Sequence, residues 1–173
     1  MQDIIIRNAT IKDIEEIADI KIEGWRTAYR GIIDDNFLDN MDMEQEIEKR
    51  RNNIDNGVNI VVAELNKKVI GFCLYRNYNK NTEKYPEADC EISSLYVKSN
   101  LRRNGIGRKL MQYVIELLKK EDKKKMILGC FEKNYPSRAF YEKMGGIVFD
   151  YDEIEFGNKK YTLALYEYNI ANM

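Results

Sequence analysis

Histidine is absent from this chain of 173 residues. That excludes a Ser-His-Asp triad, an imidazole general base and a His-ligated metal. The three cysteines, Cys73, Cys90 and Cys130, lie far apart, with no C-x-x-C pair. An odd, scattered set argues against a disulfide framework or a zinc site and fits a reducing, cytoplasmic location. No apolar run approaches the ~20 residues that a bilayer crossing needs. The opening MQDIIIRN has three consecutive apolar residues and an early Asp3, and it does not read as a signal peptide. Two prolines and ten glycines leave little room for disorder or a long linker. Nor is one sign of charge in excess, with 28 Lys+Arg against 29 Asp+Glu. A dedicated nucleic-acid binder needs a net basic field to displace counterions, so that class is excluded too.

What is present is material for one domain over residues 1–173, with 44% hydrophobic residues to build a core. Residues 4–6 read as a short buried strand. Thr10 then opens a helix, with Asp13 in the capping-box position. Ile11, Ile14, Ala18, Ile22, Trp25 and Tyr29 fall at helical spacing on one face, and Gly31 is expected to end the helix. Residues 34–54 read as a second helical region, broken near Asp42. Two β-branched runs, 58–65 and 68–76, joined at Asn66-Lys67, make a hairpin. Residues 77–87 are polar and form a loop.

A central strand follows at 89–97, then an amphipathic helix at 105–120, a strand at 125–130 and a short helix at 136–144. Strands at 147–155 and 160–168 close the chain as a hairpin. Strand–helix–strand in the middle implies one parallel pair; the hairpins imply antiparallel neighbours. The fold class is therefore α/β: a mixed, mostly antiparallel sheet of about seven strands with about four helices.

The stretch Arg102-Arg103-Asn104-Gly105-Ile106-Gly107-Arg108 lies between the central strand and the strongest helix. Two glycines at alternate positions let amides point into one concavity, the helix adds its positive end, and the arginines add charge. That suits a pyrophosphate. A dinucleotide fingerprint needs a third glycine where Leu110 stands, and a Walker loop needs a G-K-[ST] tripeptide that is missing.

The R-x-x-G-x-G pattern of Arg102, Gly105 and Gly107 resembles the acyl-CoA pyrophosphate loop of the GCN5-related N-acetyltransferase superfamily. Glu91-Ile-Ser-Ser-Leu-Tyr-Val97 resembles that family's central strand. Asn134-Tyr-Pro-Ser137-Arg-Ala-Phe-Tyr141-Glu-Lys-Met-Gly145 resembles its N-x-x-[SA]-x-x-x-Y-x-x-x-G block. Gly146 departs from a frequent Phe there. The resemblance implies acetyl-CoA as cofactor and a central parallel pair that splays to admit the pantetheine arm. Leu95 and Val97 would pair with the arm, and the Leu95 amide would hold the thioester oxygen. Amides from Arg103 to Arg108 would hold the pyrophosphate, with Arg102, Asn134 and Ser137 beside the cofactor. Tyr141 would protonate the leaving thiolate.

An amine arriving as ammonium must lose a proton before it attacks, and without histidine the candidates are a carboxylate, a tyrosine or a water chain. Glu91 is the choice, directly or through water, with Asp89 as the alternative. Trp25 and Tyr29 resemble a stretch that lies over the acceptor pocket in bacterial members; both also fit a core stripe. Asp34, Asp35 and Glu155 would give the pocket negative character. The Lys cluster at 119–125 reads as a solvated helix end.

The reading is an N-acetyltransferase with a small primary amine, such as a polyamine, as partner and direct attack in a ternary complex. A protein N-terminal or lysine acetyltransferase and a non-catalytic acyl-CoA sensor are the alternatives. No metal, nucleic acid or membrane partner is expected. Tyr151, Tyr161, Tyr166 and Tyr168 of the last strands would offer a surface for a homodimer, which is also the family's habit, or form ordinary sheet surface.

Overall fold

The computed structural model describes residues 3–78 and 84–173; residues 79–83 of the expected loop lie outside them. Strand β1 (Ile5–Asn8) leads through a 3-10 turn (Ile11–Asp13) into helix α1 (Ile14–Ala28). The turn closes because the Asp13 carboxylate folds back, accepting from the Thr10 amide at 2.7 Å and its hydroxyl at 3.0 Å. Arg7 clamps the same carboxylate at 2.8 Å and reaches Glu64 at 2.7 Å. The Arg7 hydrogen bond holds Asp13 below the usual carboxylate range despite its burial. Because this turn precedes the regular helix, Ile11 falls off the buried stripe and is 55% exposed, against expectation. The helix also stops earlier than expected, at Ala28. Gly31 takes the left-handed conformation (φ +78°) in the turn that follows.

Two aspartates split the next segment. Asp34 caps helix α2 (Asp35–Asp39) through the Phe37 amide, and Asp42 caps helix α3 (Met43–Asp55) through the Gln45 amide at 2.8 Å. The separate turn of α2 makes five helices among the described residues, where about four were expected. Strands β2 (Asn59–Leu65) and β3 (Lys68–Asn77) join at Asn66 and Lys67, both at positive φ, the geometry of a type I′ hairpin. Strand β4 (Cys90–Val97), helix α4 (Ile106–Lys120), strand β5 (Lys125–Phe131), helix α5 (Tyr135–Lys143) and strands β6 (Ile147–Phe156) and β7 (Lys159–Asn169) complete the chain.

The sheet order is β1-β2-β3-β4-β5-β7-β6, and every pairing except β4 with β5 is antiparallel. One face carries the main core, where Ile106, Leu110, Met111, Val114 and Leu118 of α4 meet Val61, Cys73 and Ile92. On the other face Ile17 and Ile20 of α1 pack on Val62, Phe72 and Leu74. The last strands differ from expectation. Tyr166 and Tyr168 are fully buried and Tyr161 packs into an aromatic cluster. Only Tyr151, 48% exposed, stands on the open surface. Alternation along β7 turns those rings inward, Tyr166 onto α5 and Tyr161 toward the start of α2. Among the described residues, no helix is long and apolar enough to cross a membrane.

Candidate active site

Strand β4 changes partners along its length. Cys90, Glu91 and Ile92 are in register with Met126, Ile127 and Leu128 of β5, and the parallel pairing stops there. Pairing with β3 continues to Val97. Leu74 faces Ser94 while Tyr75 faces Ile92, so Ser93 is an extra residue in β4. Such a bulge bends a strand and sharpens its twist. Strand β5 meanwhile runs on to Phe131, held by β7. The two parallel strands therefore part in the middle of the sheet. Lys98 gives its amide to the Ile70 carbonyl of β3 at 2.9 Å. Amides alternate sides along a strand, so those of Val97 and Leu95 point into the gap.

The entry to α4 is a second row of donors. Arg103 (φ +65°) and Gly105 (φ +77°) are both left-handed, and Gly105 is the N-cap. The first bond of the helix runs from Lys109 to the Gly105 carbonyl at 3.0 Å. The amides of Ile106, Gly107 and Arg108 precede it and have no carbonyl four residues back to meet. Arg102, Arg103, Asn104 and Arg108 are exposed around them, with the Arg102 guanidinium donating to the Thr27 hydroxyl at 3.0 Å. A Cβ at Gly107 would touch the Phe140 ring at 3.6 Å, so the loop lies directly against α5.

Helix α5 is set by its cap. Asn134 is buried, and its side-chain oxygen accepts from the Ser137 amide at 3.4 Å. The Tyr168 hydroxyl donates to the Tyr141 carbonyl at 3.0 Å. A Cβ at Gly146 would fall 2.6 Å from that hydroxyl oxygen, so the second glycine of the pair is what lets this bond form. Burial pushes the Tyr141 phenol well above its ordinary pKa, so it keeps its proton. Its electrostatic neighbours include Cys130 on β5 and Tyr96 on β4, one from each side of the gap. Its hydroxyl has no hydrogen-bond partner among the described residues.

On the opposite face, Trp25 and Tyr29 belong to a cluster of rings. Trp25 meets Phe156 edge-on at 5.1 Å, and Tyr29 meets Phe131 at 4.8 Å. Trp25 donates its indole N–H to the Tyr96 hydroxyl at 2.8 Å, and the Tyr29 hydroxyl lies 3.0 Å from the same oxygen. The core-stripe reading of these residues holds: they are packed, and both contact Tyr96 on the strand that opens.

Residues 19–146 match the acetyltransferase (GNAT) family. The chain belongs to that family. It is 28% identical over 139 residues to an uncharacterised N-acetyltransferase, YuaI, of Bacillus subtilis, covering 80% of this chain and 78% of that one. It is 26% identical over 165 residues to a spermidine N(1)-acetyltransferase of Thermoplasma acidophilum, covering 90% and 96%. Among solved structures, a PaiA N-acetyltransferase of Thermoplasma acidophilum in complex with coenzyme A superposes with a TM-score of 0.78. That alignment covers 96% of this chain and 99% of the other at 22% identity.

This GNAT enzyme is an acetyltransferase, and its acyl donor is acetyl-CoA. The residues present fit that donor. A diphosphate needs a row of free amides beside positive charge, which the α4 entry has. An arm carrying amide groups needs a strand edge with free donors, which the gap has.

The acids of the enzyme are less free than the sequence implies. Asp89 accepts from the amides of Lys124 and Lys125, both at 2.9 Å, and so starts β5. Glu91 lies in the paired half of β4, bonded to Arg76 at 2.5 Å and roughly 13 Å back along the strand from Leu95. Asp34 is paired with Lys159, and Asp35 with Arg30 at 3.3 Å. Of the expected acidic set, Glu155 is exposed and has no ion pair among the described residues. Cys73, Cys90 and Cys130 are buried, and none is joined in a disulfide. Burial pushes the Cys90 and Cys130 thiols up to about 12, far from the thiolate an acyl carrier needs.

Four residues at this site escaped sequence reading: Tyr96, Lys21, Gly24 and Phe131. The bulge at Ser93 puts Leu95 and Val97 with the main core and turns Tyr96 to the α1 face. A glycine inside an otherwise regular helix was the one available hint of a close approach.

Proposed function

We propose that this enzyme transfers the acetyl group of acetyl-CoA to a primary amine of a small molecule, by direct attack within a ternary complex. The observation that carries the reading is the gap between β4 and β5. It places free amides on one strand edge, the anion-ready start of α4 at one end and the unpartnered Tyr141 hydroxyl alongside. Acetyl-CoA supplies a thioester carbon open to attack. Leu95 offers its amide to the oxygen where negative charge develops, a placement worth several kcal/mol in comparable sites. Val97 holds the arm, with Asn134 and Ser137 at the α5 end. Residues 103–108, with Arg102, hold the diphosphate. Tyr141, kept protonated by burial, gives its proton to the departing sulfur. Glu91, oriented by Arg76, takes the proton of the amine through water. The buried, high-pKa cysteines support attack without an acyl-enzyme.

A polyamine is the acceptor favoured within this class. The likeness to a spermidine acetyltransferase supports it, as do the ring faces of Trp25, Tyr29, Phe156 and Tyr161, which attract an alkylammonium. A thiol-release assay with acetyl-CoA against spermidine, lysine, aminoglycosides and short peptides tests this reading. Release that depends on spermidine supports it. Release with peptides alone moves the acceptor to protein, and tight acetyl-CoA binding without release on any amine overturns the enzyme reading.

A further inference from the structure

We infer that Tyr96 is a positioning residue for the transfer: its side chain ties the open half of β4 to helix α1 and so fixes where the Leu95 amide points. The inference rests on the reading of the gap as the acyl-donor site. In the paired half of β4, neighbours on both sides hold the strand. In the open half β5 has parted from it, and among the described residues β3 is the one strand still paired with it. Something else must set the strand's roll, and the side chain between Leu95 and Val97 is placed to do so.

Three residues of α1 and its C-cap, Tyr29, converge on that side chain. The indole N–H of Trp25 can only donate, so the Tyr96 oxygen accepts it, at 2.8 Å. The Tyr29 hydroxyl, one helical turn further on, shares the same oxygen at 3.0 Å. The Lys21 Nζ stands 4.8 Å from the Tyr96 ring centroid and 4.3 Å from the Trp25 ring. Gly24 completes the seat: a Cβ there would fall 2.8 Å from Tyr96 Cδ1. Glycine weakens a helix interior, and here its missing side chain is the space the ring occupies. Phe72 of β3 lies against the ring at 5.7 Å. Ring and hydroxyl are thus both fixed, and Tyr96 has no freedom to let β4 roll. An oxyanion donor acts only from the right place, and a displacement of about 1 Å matters.

The same contacts join the donor strand to the helix bearing Trp25 and Tyr29, so acceptor and donor groups share one anchor. Trp25 is the single tryptophan of the chain, which makes its emission a direct report on that anchor. In the wild type, adding coenzyme A should change Trp25 emission. In Tyr96→Phe that change should vanish, while calorimetry gives a coenzyme A Kd within about twofold of wild type and kcat falls about tenfold, with KM for acetyl-CoA little altered. Gly24→Ala keeps every polar group but displaces the ring. It should lower kcat to a similar degree although alanine is the better helix former, and it carries the test if Tyr96→Phe fails to fold. Normal coenzyme A binding with unchanged kcat in both variants would overturn the role of Tyr96 alone. A wild type that binds no coenzyme A would instead overturn the reading of the gap, and this inference with it.

Discussion

The two halves of β4 are built from one continuous run of sequence and do opposite things. In the first half, Cys90, Glu91 and Ile92 are paired on both sides, and Glu91 is tied to Arg76. In the second half, beyond the bulge at Ser93, one edge is bare and a ring clamped by α1 replaces the missing strand. Pairing satisfies the backbone and leaves it chemically silent. Withholding a partner keeps donors available for a ligand, at the cost of needing another way to hold the strand. A site can thus be made by not completing a sheet.

The largest effect should come from the open half. Tyr141→Phe should lower kcat roughly a hundredfold or more, with a smaller change in KM for acetyl-CoA, because it removes the proton donor while leaving the ring packed. Steady-state thiol release checks this, and a rate within a factor of two of wild type would break the assignment.

Next comes the loop beside the gap. Gly105→Val forces a β-branched residue to φ near +77°, which should cost about 1–2 kcal/mol of stability. It should also weaken coenzyme A binding about tenfold or more, since the amides that follow lose their aim. Calorimetry with coenzyme A and a thermal melt separate the two effects.

Glu91→Gln asks whether the paired half takes part in the chemistry. As the base, Glu91 should give the kcat profile its acid limb, so the variant should lose that limb and about tenfold in rate. An intact pH profile with only a lowered melting temperature would confine Glu91 to its bond with Arg76.

The smallest effect concerns Lys21. Burial pushes its pKa down to about 7, with Arg50 and Lys49 lowering it further and Glu46 opposing, all three from α3. The folded state therefore disfavours the ammonium, and between about pH 7 and the ordinary lysine value of roughly 10.5 the unfolded chain binds more protons. Stability should rise with pH across the lower part of that window. Lys21→Met should flatten the rise and raise the urea midpoint at pH 7. Midpoints at pH 7 and pH 9 for both proteins decide it; an equal rise in the variant would place the effect elsewhere.

Much of this was legible beforehand, and the reasons are local. The helix starts at Asp34 and Asp42 follow from side chains that reach the next turn's amides, and the one at Thr10 from the Asp13 carboxylate folding back onto the Thr10 amide. Alternating and helical spacing placed β2 to β5 and α4 within one or two residues of their observed bounds. The glycine loop announced itself because Gly105 is needed for its own φ. Ile11 and the tyrosines of β7 were misplaced for the converse reason. Whether a residue lies just inside a helix, or which way a strand's face turns, depends on elements distant in sequence. Tyr96 was hidden more deeply, since one inserted residue at Ser93 reverses the alternation on which any reading of the strand relies.

By itself the sequence determined the element order, the glycine turn that starts α4 and the set of residues available for proton transfer, all properties of near neighbours in the chain. Only the tertiary structure decided that β4 and β5 part after Ile92 and Leu128. It alone tied Asp89 to the start of β5 and Glu91 to Arg76. It also let Gly24 admit the ring that holds the open strand. Those outcomes depend on residues dozens of positions apart meeting at a few ångströms, and no local propensity encodes such a meeting.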